Sequence, residues 1–584
     1  MSANRQLSRR RRSEERAALR RIPLLADIDN EQLDRLLGAL DRRHIPASEW
    51  LFRAGDPSNT IYVVDYGRFI AVGADGQVIR EMASGDSIGE LGVIAGTARS
   101  AGVQALRDSV VWGIAADAFR AVLATTPRLQ LVMLRAMAMM LRESRSRNAS
   151  GRPRVIGILS AGSAAPVGQI ADTMATQLRS YGKVAVIAAP TSISNAAENF
   201  SELVGAFSES LGRAERSNDW VLVVADRDAG DLWRRQVAAQ CDRLVVLVDE
   251  TRPPKAIGLL PKRGPVHLMT CTADPGPSWW DLPQVVSHHP ANDDGIGALI
   301  RRIAGRSLGL VMAGGGARGL THFGVYEELT RAGVVIDRFG GTSSGAIAAA
   351  AFALGMDAQD AITIGREFIA QNNPLGDYTI PAVALTRGRR VELLAERICG
   401  ETLIEHLPKA FFCVSADMIT GDQIIHRRGP LGTAVRASIS IPGILPPVQR
   451  GDEILVDGGL LNNLPADVMC ADPDGEVICV DLRRKYVPSK GFGLLPPIVP
   501  LPGFVRRLLT GTDVALPPLQ ETLLRAFELA ASSANPRELP RVAAVIEPDV
   551  SAIGPLDFDQ IDAALDAGRI ATRSALKAYP QLVG

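Results

Sequence analysis

Residues 308–319, LGLVMAGGGARG, and residues 334–346, VVIDRFGGTSSGA, decide how the most motif-rich part of this 584-residue chain is read. In the first, the apolar run Leu308 to Ala313 reads as a buried strand. Gly314-Gly315-Gly316-Ala317-Arg318-Gly319 then opens a helix, so backbone N–H groups converge where an oxyanion or a phosphate binds. In the second, the extended run Val334 to Phe339 leads into Gly341-Thr342-Ser343-Ser344-Gly345, a G-x-S-x-G, and the alanine-rich stretch from Ala346 to Leu354 begins a helix. Small residues around Ser343 let the backbone turn sharply between strand and helix and leave the hydroxyl exposed. Asp457-Gly458-Gly459 follows a further apolar run, Ile454 to Val456. Strand, loop and helix repeat from Leu308 to Asp481, which predicts an α/β unit over 308–481 and leaves a less regular extension at 482–584.

The glycine loop alone is ambiguous. Its six residues also satisfy G-x-G-x-x-G, and Asp337 lies about 20 residues on, as in a Rossmann dinucleotide site. The glycine-flanked serine and the Asp457 turn weigh for acyl transfer, because hydride transfer needs neither. Asp457 has a plainer reading too, since aspartate before glycine commonly only makes a turn. His322, one turn into the helix, reads as a packing residue and not as a triad histidine. A second G-x-S-x-G, Gly85-Asp86-Ser87-Ile88-Gly89, has no helix read behind it.

Taken together, G-G-G-x-R-G, G-x-S-x-G and D-G-G in this order and spacing resemble the patatin-like phospholipase family over roughly Leu308 to Asp481. The likeness includes Ala437-Ser438, Pro442, Pro446-Pro447 and the run Asp457 to Pro465; Leu445 departs from it, where an aromatic residue is frequent. The resemblance implies a dyad of Ser343 as nucleophile and Asp457 as base, without a histidine. It also implies an oxyanion hole from the N–H groups of Gly315, Gly316 and Arg318. No metal or catalytic cofactor is expected, and the expected substrates are phospholipid or lysophospholipid esters.

From Ile22 to residue 147, short β-like runs punctuated by glycine, such as Ile61 to Val64, Phe69 to Val72 and Val110 to Ile114, predict a β-roll. Gly89-Glu90-Leu91 and Arg99-Ser100-Ala101 supply an acceptor for a ribose hydroxyl and a cation for a cyclic phosphate. This stretch resembles the cyclic-nucleotide-binding domains of catabolite activator protein and of cyclic-nucleotide-dependent kinases, with Gly55 and Gly67 at turns. That implies cAMP or cGMP as an allosteric ligand, with the choice between them open; the alternative is a roll that has lost its ligand. Between 154 and 305, the runs Val155 to Leu159, Val184 to Ile187, Trp220 to Ala225 and Leu244 to Val248 alternate with helical segments. This predicts an α/β Rossmann-like domain, which lacks a phosphate-loop lysine and so reads as a structural or relay domain. The fold class is therefore multidomain: β-roll, α/β Rossmann-like domain and α/β patatin-like hydrolase domain. That order resembles bacterial relatives of neuropathy target esterase.

Lys+Arg and Asp+Glu each count 64, so no bulk charge recruits nucleic acid. An α/β pattern stands where a recognition helix would follow the roll, which excludes a helix-turn-helix factor. The segment 1–21 carries eight arginines, suited to an anionic lipid surface or to a solvated helix. The proline-rich apolar run Gly491 to Phe504 suits lipid contact or packing, and the helical pattern Leu129 to Leu141 suits a homodimer or packing on the roll. Six scattered cysteines argue against disulfides and zinc. No run approaches the ~20 apolar residues of a span, so a cytoplasmic protein, peripheral at the inner membrane face, is expected. The rival readings are a cyclic-nucleotide-responsive scaffold with an inactive hydrolase domain and a Rossmann-type oxidoreductase.

Overall fold

The computed structural model describes residues 40–125, 130, 155–189, 207–249, 265–482 and 535–582, apart from breaks at 74–77, 84, 162–165, 208–209, 216, 227–228, 272–276, 281, 283, 371–372, 381–382 and 473. The arginine-rich start, the helix expected at 129–141 (save Gln130) and the apolar run at 491–504 lie outside the described residues. The chain divides into two compact units, 1–300 and 301–584.

The first unit opens with two four-stranded antiparallel sheets. One orders Leu40–Ile45, Ser109–Ala115, Thr60–Tyr66 and Ser87–Ile88; the other orders Trp50–Phe52, Gly102–Ala105, Arg68–Val72 and Val78–Ala83. Alternating Val, Ile, Tyr and Phe turn Val64, Phe69, Ile88 and Val111 into a shared core. Gly67 has φ +105, and a Cβ there would lie 2.1 Å from Ser109 Oγ, so the turn requires glycine.

Next comes a six-stranded parallel sheet in the order Val184–Ile187, Trp220–Ala225, Val155–Ser160, Arg243–Val248, Val266–Thr270, Val285–Pro290. In chain order this is 2-3-1-4-5-6 among the described residues, which departs from the 3-2-1-4-5-6 of a dinucleotide-binding fold. The middle part is thus a parallel α/β layer. The sequence reading missed its last two strands, whose apolar pattern is interrupted by His267, His288 and His289.

The roll and the middle sheet meet in a buried ionic joint within this unit. Arg107, on the turn before Ser109–Ala115, is 2 % exposed; its Nη2 meets Glu215 Oε1 at 2.5 Å, its Nη1 meets Asp242 Oδ1 at 3.4 Å and donates to the Gln240 carbonyl at 2.7 Å. Arg68 Nη1 meets Asp242 Oδ2 at 3.0 Å. Burial alone would lower the Arg107 guanidinium, but the Glu215 and Asp242 carboxylates overcome it and hold the pKa above its ordinary value. Arg107→Ala would strand the Glu215 carboxylate out of water and leave Asp242 only Arg68 as a cationic partner, and is expected to cost about 3–5 kcal/mol. A denaturation midpoint of this unit that is unchanged in the full-length variant would contradict that.

Among the described residues the second unit has eight strands: β1 (Gly309–Met312), β2 (Arg338–Thr342), β3 (Ala410–Asp417), β4 (Gln423–His426), β5 (Val448–Arg450), β6 (Glu453–Asp457), β7 (Val477–Val480) and β8 (Val542–Ile546). The sheet order is β5-β6-β3-β2-β1-β7-β8, with β4 paired to β3; the stretch from β3 to β8 is parallel, and β4, β5 and β6 pair antiparallel. Chain order reverses around β1, so the crevice beyond the carboxyl ends of β1 and β2 is where such a sheet places its ligand. The helices relevant to that crevice are α1 (Thr321–Arg331), α2 (Ser344–Ala353), α3 (Arg389–Cys399), α4 (Leu431–Ser438) and α5 (Ile561–Ala578).

Past residue 481, β8 extends the sheet and α5 lies against α1. A Cβ on Gly324 would come 2.2 Å from the Leu565 carbonyl, and one on Gly568 would come 2.3 Å from that of Thr321. Arg569 Nε pairs with Glu327 at 2.7 Å and Arg573 Nη2 with Glu328 at 2.8 Å. Residues 535–582 thus supply a strand of this sheet and a helix packed on α1.

Candidate active site

The sheet register brings Ser343 and Asp457 to one level. Thr342 on β2 pairs with Val414 on β3, and Ser415, the next residue of β3, pairs with Asp457 at the end of β6. Ser343 follows Thr342 directly, so the two residues stand on either side of β3 at about 10 Å between backbones, a gap that two side chains close. Ser343 has φ 56 and ψ −126, a positive φ that a non-glycine residue holds only when its surroundings impose it. Those surroundings are specific. The Ser343 N–H donates to Ser438 Oγ at 3.1 Å, Ser438 Oγ donates to the Val414 carbonyl at 2.7 Å, and Thr342 Oγ1 donates to the Asn462 carbonyl at 2.9 Å. A Cβ on Gly345 would lie 2.2 Å from the Met312 carbonyl, which is why the residue after Ser344 is glycine. The serine sits at the N-terminus of α2, where the helix dipole favours negative charge.

Asp457 is fully buried. Its N–H donates to the Ser440 carbonyl at 2.9 Å and its Oδ1 accepts the Gly459 N–H at 2.8 Å. Burial pushes the carboxyl up to about 7, against the opposing influence of the neighbouring Ser343 hydroxyl and the Gly459 N–H. Oδ2 has no partner at standard hydrogen-bond geometry among the described residues.

The glycine loop lies against the elbow: a Cβ on Gly314 would be 2.9 Å from Ser343 Cβ. Gly314 and Asn463 exchange hydrogen bonds, N–H to carbonyl at 3.1 Å and Asn463 Nδ2 to the Gly314 carbonyl at 3.1 Å. The three expected oxyanion donors are not equivalent. Gly315 N–H donates to Ser344 Oγ at 3.0 Å and Arg318 N–H to the Gly315 carbonyl at 3.3 Å, while the Gly316 N–H engages no acceptor among the described residues. The C-terminal segment holds this loop: Ala317 N–H donates to the Pro555 carbonyl at 2.8 Å and Arg318 Nε to the Ile553 carbonyl at 3.0 Å. Sequence reading gave no role of their own to Ser344, Ser438 and Asn463, although each falls within a quoted motif or block, and none to Pro555, which falls in none.

Two rival readings meet geometry that disfavours them. Asp337, the acid a ribose would need, is gripped by Arg301 through Nε at 2.9 Å and Nη2 at 2.7 Å. His322 is buried with its pKa lowered to about 4 by burial, and Nε2–H donates to the Ala313 carbonyl at 2.8 Å, so it braces the end of β1. The other G-x-S-x-G does precede a short helix, Glu90–Ala95, contrary to the sequence reading, yet Ser87 lies within a strand and lacks the positive φ of an elbow.

Ser343 opens on a cavity of about 720 Å³, part of it solvent-filled at the mouth, whose wall is apolar: Leu320, Phe323, Ile347, Leu375, Leu445 and Phe558. Leu445, the departure noted in the sequence, is one of its walls. A second, small apolar cavity shares Ile347, Val391, Leu394 and Ile439 with the first and reaches Ile398 and Cys399 between α2, α3 and α4.

In the roll, the structure gathers Gly89, Glu90 and Arg99. Arg99 donates from Nη1 to the Gly89 carbonyl at 2.8 Å and from Nη2 to the Thr60 carbonyl at 2.5 Å, and its guanidinium lies 4.1 Å over the Phe52 ring. Burial raises the Glu90 carboxyl and lowers the Arg99 guanidinium. Leu91 and Ser100 are exposed, and Ala101 is half-buried.

A glycine-rich loop and a strained serine at the carboxyl ends of adjacent parallel strands define a patatin-like hydrolase fold. The sequence pattern described as patatin-like phospholipase matches residues 310–469, and that of a cyclic nucleotide-binding domain matches 42–126. Over 583 residues the chain is 69% identical to an uncharacterized NTE family protein of Mycobacterium bovis, covering 100% of both chains. The chain belongs to the NTE family. It is also 25% identical over 543 residues to lysophospholipase NTE1 of Cryptococcus neoformans, covering 79% of this chain and 33% of that one. A putative patatin-like phospholipase domain-containing protein of Caenorhabditis elegans is 35% identical over 192 residues, 32% of this chain and 17% of that one.

Proposed function

We propose that this protein is a serine acyl hydrolase of phospholipid or lysophospholipid esters, with Ser343 as nucleophile and Asp457 as base, and that cyclic nucleotide bound to the roll is its effector. The observation that carries the reading is the strained Ser343 at one sheet level with a buried, half-satisfied Asp457, facing an apolar cavity. Asp457 Oδ2 takes the Oγ proton as Oγ attacks the ester carbonyl carbon. The displaced electron pair moves onto the carbonyl oxygen, which the Gly316 N–H holds, joined by Gly315 N–H once the Ser344 hydroxyl rotates away. Collapse re-forms the carbonyl and expels the glycerol oxygen, which receives the proton from Asp457. Water then attacks the acyl-serine, again giving a proton to Asp457, and the fatty acid leaves as Oγ is reprotonated. The apolar wall holds the acyl chain. The likeness to a fungal lysophospholipase supports the substrate class.

The hydrolase part is tested by fatty-acid release from lysophospholipid and by cleavage of a short-chain aryl ester; a folded protein that turns over neither would remove it. For the roll, Arg99 would exchange its two backbone carbonyls for a cyclic phosphate. Arg99→Gln is expected to weaken cAMP or cGMP binding by about ten- to a hundredfold, the worth of charge-assisted hydrogen bonds. Undiminished affinity in calorimetry would contradict that site, and equal esterase rates with and without saturating cAMP and cGMP would remove the effector role.

A further inference from the structure

We propose that the wall between the Ser343 cavity and the small cavity behind it, made of Ile347, Val391, Leu394 and Ile439, is the stop that sets how long an acyl chain this site accepts; the inference rests on the acyl-hydrolase reading above. The wall follows from how α3 is written. Within Arg389–Cys399 the apolar residues Val391, Leu394, Ala395, Ile398 and Cys399 recur at helical spacing and are all buried, so they form one stripe along the helix. The front of that stripe, Val391 and Leu394, lines both cavities, and the back, Ala395, Ile398 and Cys399, lines only the rear one. Helix α2 divides in the same way. Ile347, one turn after Ser343, lines both cavities, and Ala350 beyond it lines the rear one alone. Ile439, just past α4, closes the wall from the third side, with Val435 behind it.

Two apolar clusters meet at this wall. Val391 and Ile439 pack with Leu375 and Leu445 beside the catalytic cavity; Leu394, Ile398, Cys399 and Val435 belong to the main core of the unit; Ile347 packs against both. The one side-chain heteroatom lining the rear cavity among the described residues is the Cys399 thiol, which stays neutral because burial pushes it up to about 12. Such a space offers little to water or to a charged headgroup and suits the methyl end of an alkyl chain. An acyl chain that leaves Ser343 along α2 meets the wall after one helical turn. From Leu394 to Ile398 the axis of α3 rises about 6 Å, so removing the wall adds length for about four methylene groups. Each methylene buried there strengthens binding about threefold to fourfold.

The experiment measures kcat/KM of the full-length chain on the nitrophenyl esters of octanoate, dodecanoate and hexadecanoate. It is paired with calorimetry of the free fatty acids binding to the same chain carrying Ser343→Ala. Leu394→Ala joins the two cavities and is expected to raise the hexadecanoate-to-octanoate ratio about tenfold or more in both measurements. A variant that only loses stability would weaken on all three chain lengths together and leave that ratio where it was. Adding Ala395→Leu to Leu394→Ala refills the rear cavity and is expected to return the ratio to the wild-type value. Should Leu394→Ala fail to fold, Ile439→Val, which trims one methyl group from the same wall, is expected to move the ratio in the same direction by about threefold. An unchanged ratio in the folded variant, or one that Ala395→Leu leaves raised, would overturn the proposal. A wild type that cleaves none of the esters would remove the hydrolase reading alone, since the fatty-acid ratios still decide whether this wall measures the chain.

Discussion

Ser343→Ala is expected to lower kcat on every ester by on the order of 10⁴-fold or more, the scale on which a hydrolase loses turnover when its nucleophile is removed. The substitution deletes one oxygen and little else. The N–H that donates to Ser438 Oγ remains, and alanine carries the same Cβ, so the strained φ of 56 neither improves nor worsens much. The cavity wall is untouched, so the variant should still take up lipid with nearly wild-type affinity and fail only in chemistry. Steady-state rates together with circular dichroism check this; a folded variant that keeps a tenth or more of the wild-type rate would place the nucleophile elsewhere.

Asp457→Asn is expected to lower kcat by on the order of 10³-fold, the upper range of general-base contributions. Its pH signature is more telling than its size. The Asp457 carboxyl sits at about 7 because burial disfavours its charge, and only the charged form accepts the serine proton. Wild-type kcat/KM should therefore rise with pH through about 7 and level off above it, and the residual rate of the variant should lack that limb. Stability runs the other way. With the folded value raised above the ordinary carboxylate range, the contribution of Asp457 to stability is fully present below that range. It is lost as pH rises through about 7. The asparagine variant should consequently be at least as stable as wild type above pH 7, read from melting temperatures at several pH values. A flat wild-type pH profile from 5 to 9 would contradict the assignment.

What the sequence disclosed and what it hid follow from how each feature is encoded. The glycine loop, the elbow and the Asp457 turn are legible because steric necessity fixes their residue types: Gly345 sits against the Met312 carbonyl, and no side chain fits there. Which N–H of the glycine loop is free is not legible in the same way, because it depends on the Ser344 hydroxyl, whose orientation no pattern records. The strand before the elbow begins at Arg338 and not at Val334, since the apolar stretch first serves the turn after α1. The contribution of residues 535–582 was invisible for another reason. β8 is an ordinary short apolar strand, and the Pro555 carbonyl acts through its backbone, so neither carries a composition that points across more than two hundred residues to the glycine loop. In the middle sheet, two strands went unread because histidines occupy positions that an apolar pattern would need.

The most direct measurement is mass spectrometry of the full-length protein after reaction with a fluorophosphonate, which phosphonylates an activated serine and releases fluoride. The account predicts a single adduct on the peptide carrying Ser343, forming faster as pH rises through about 7 and at least a hundredfold slower in Asp457→Asn. An adduct on another serine, or labelling of Ser343 at the same rate with asparagine at 457, would contradict it.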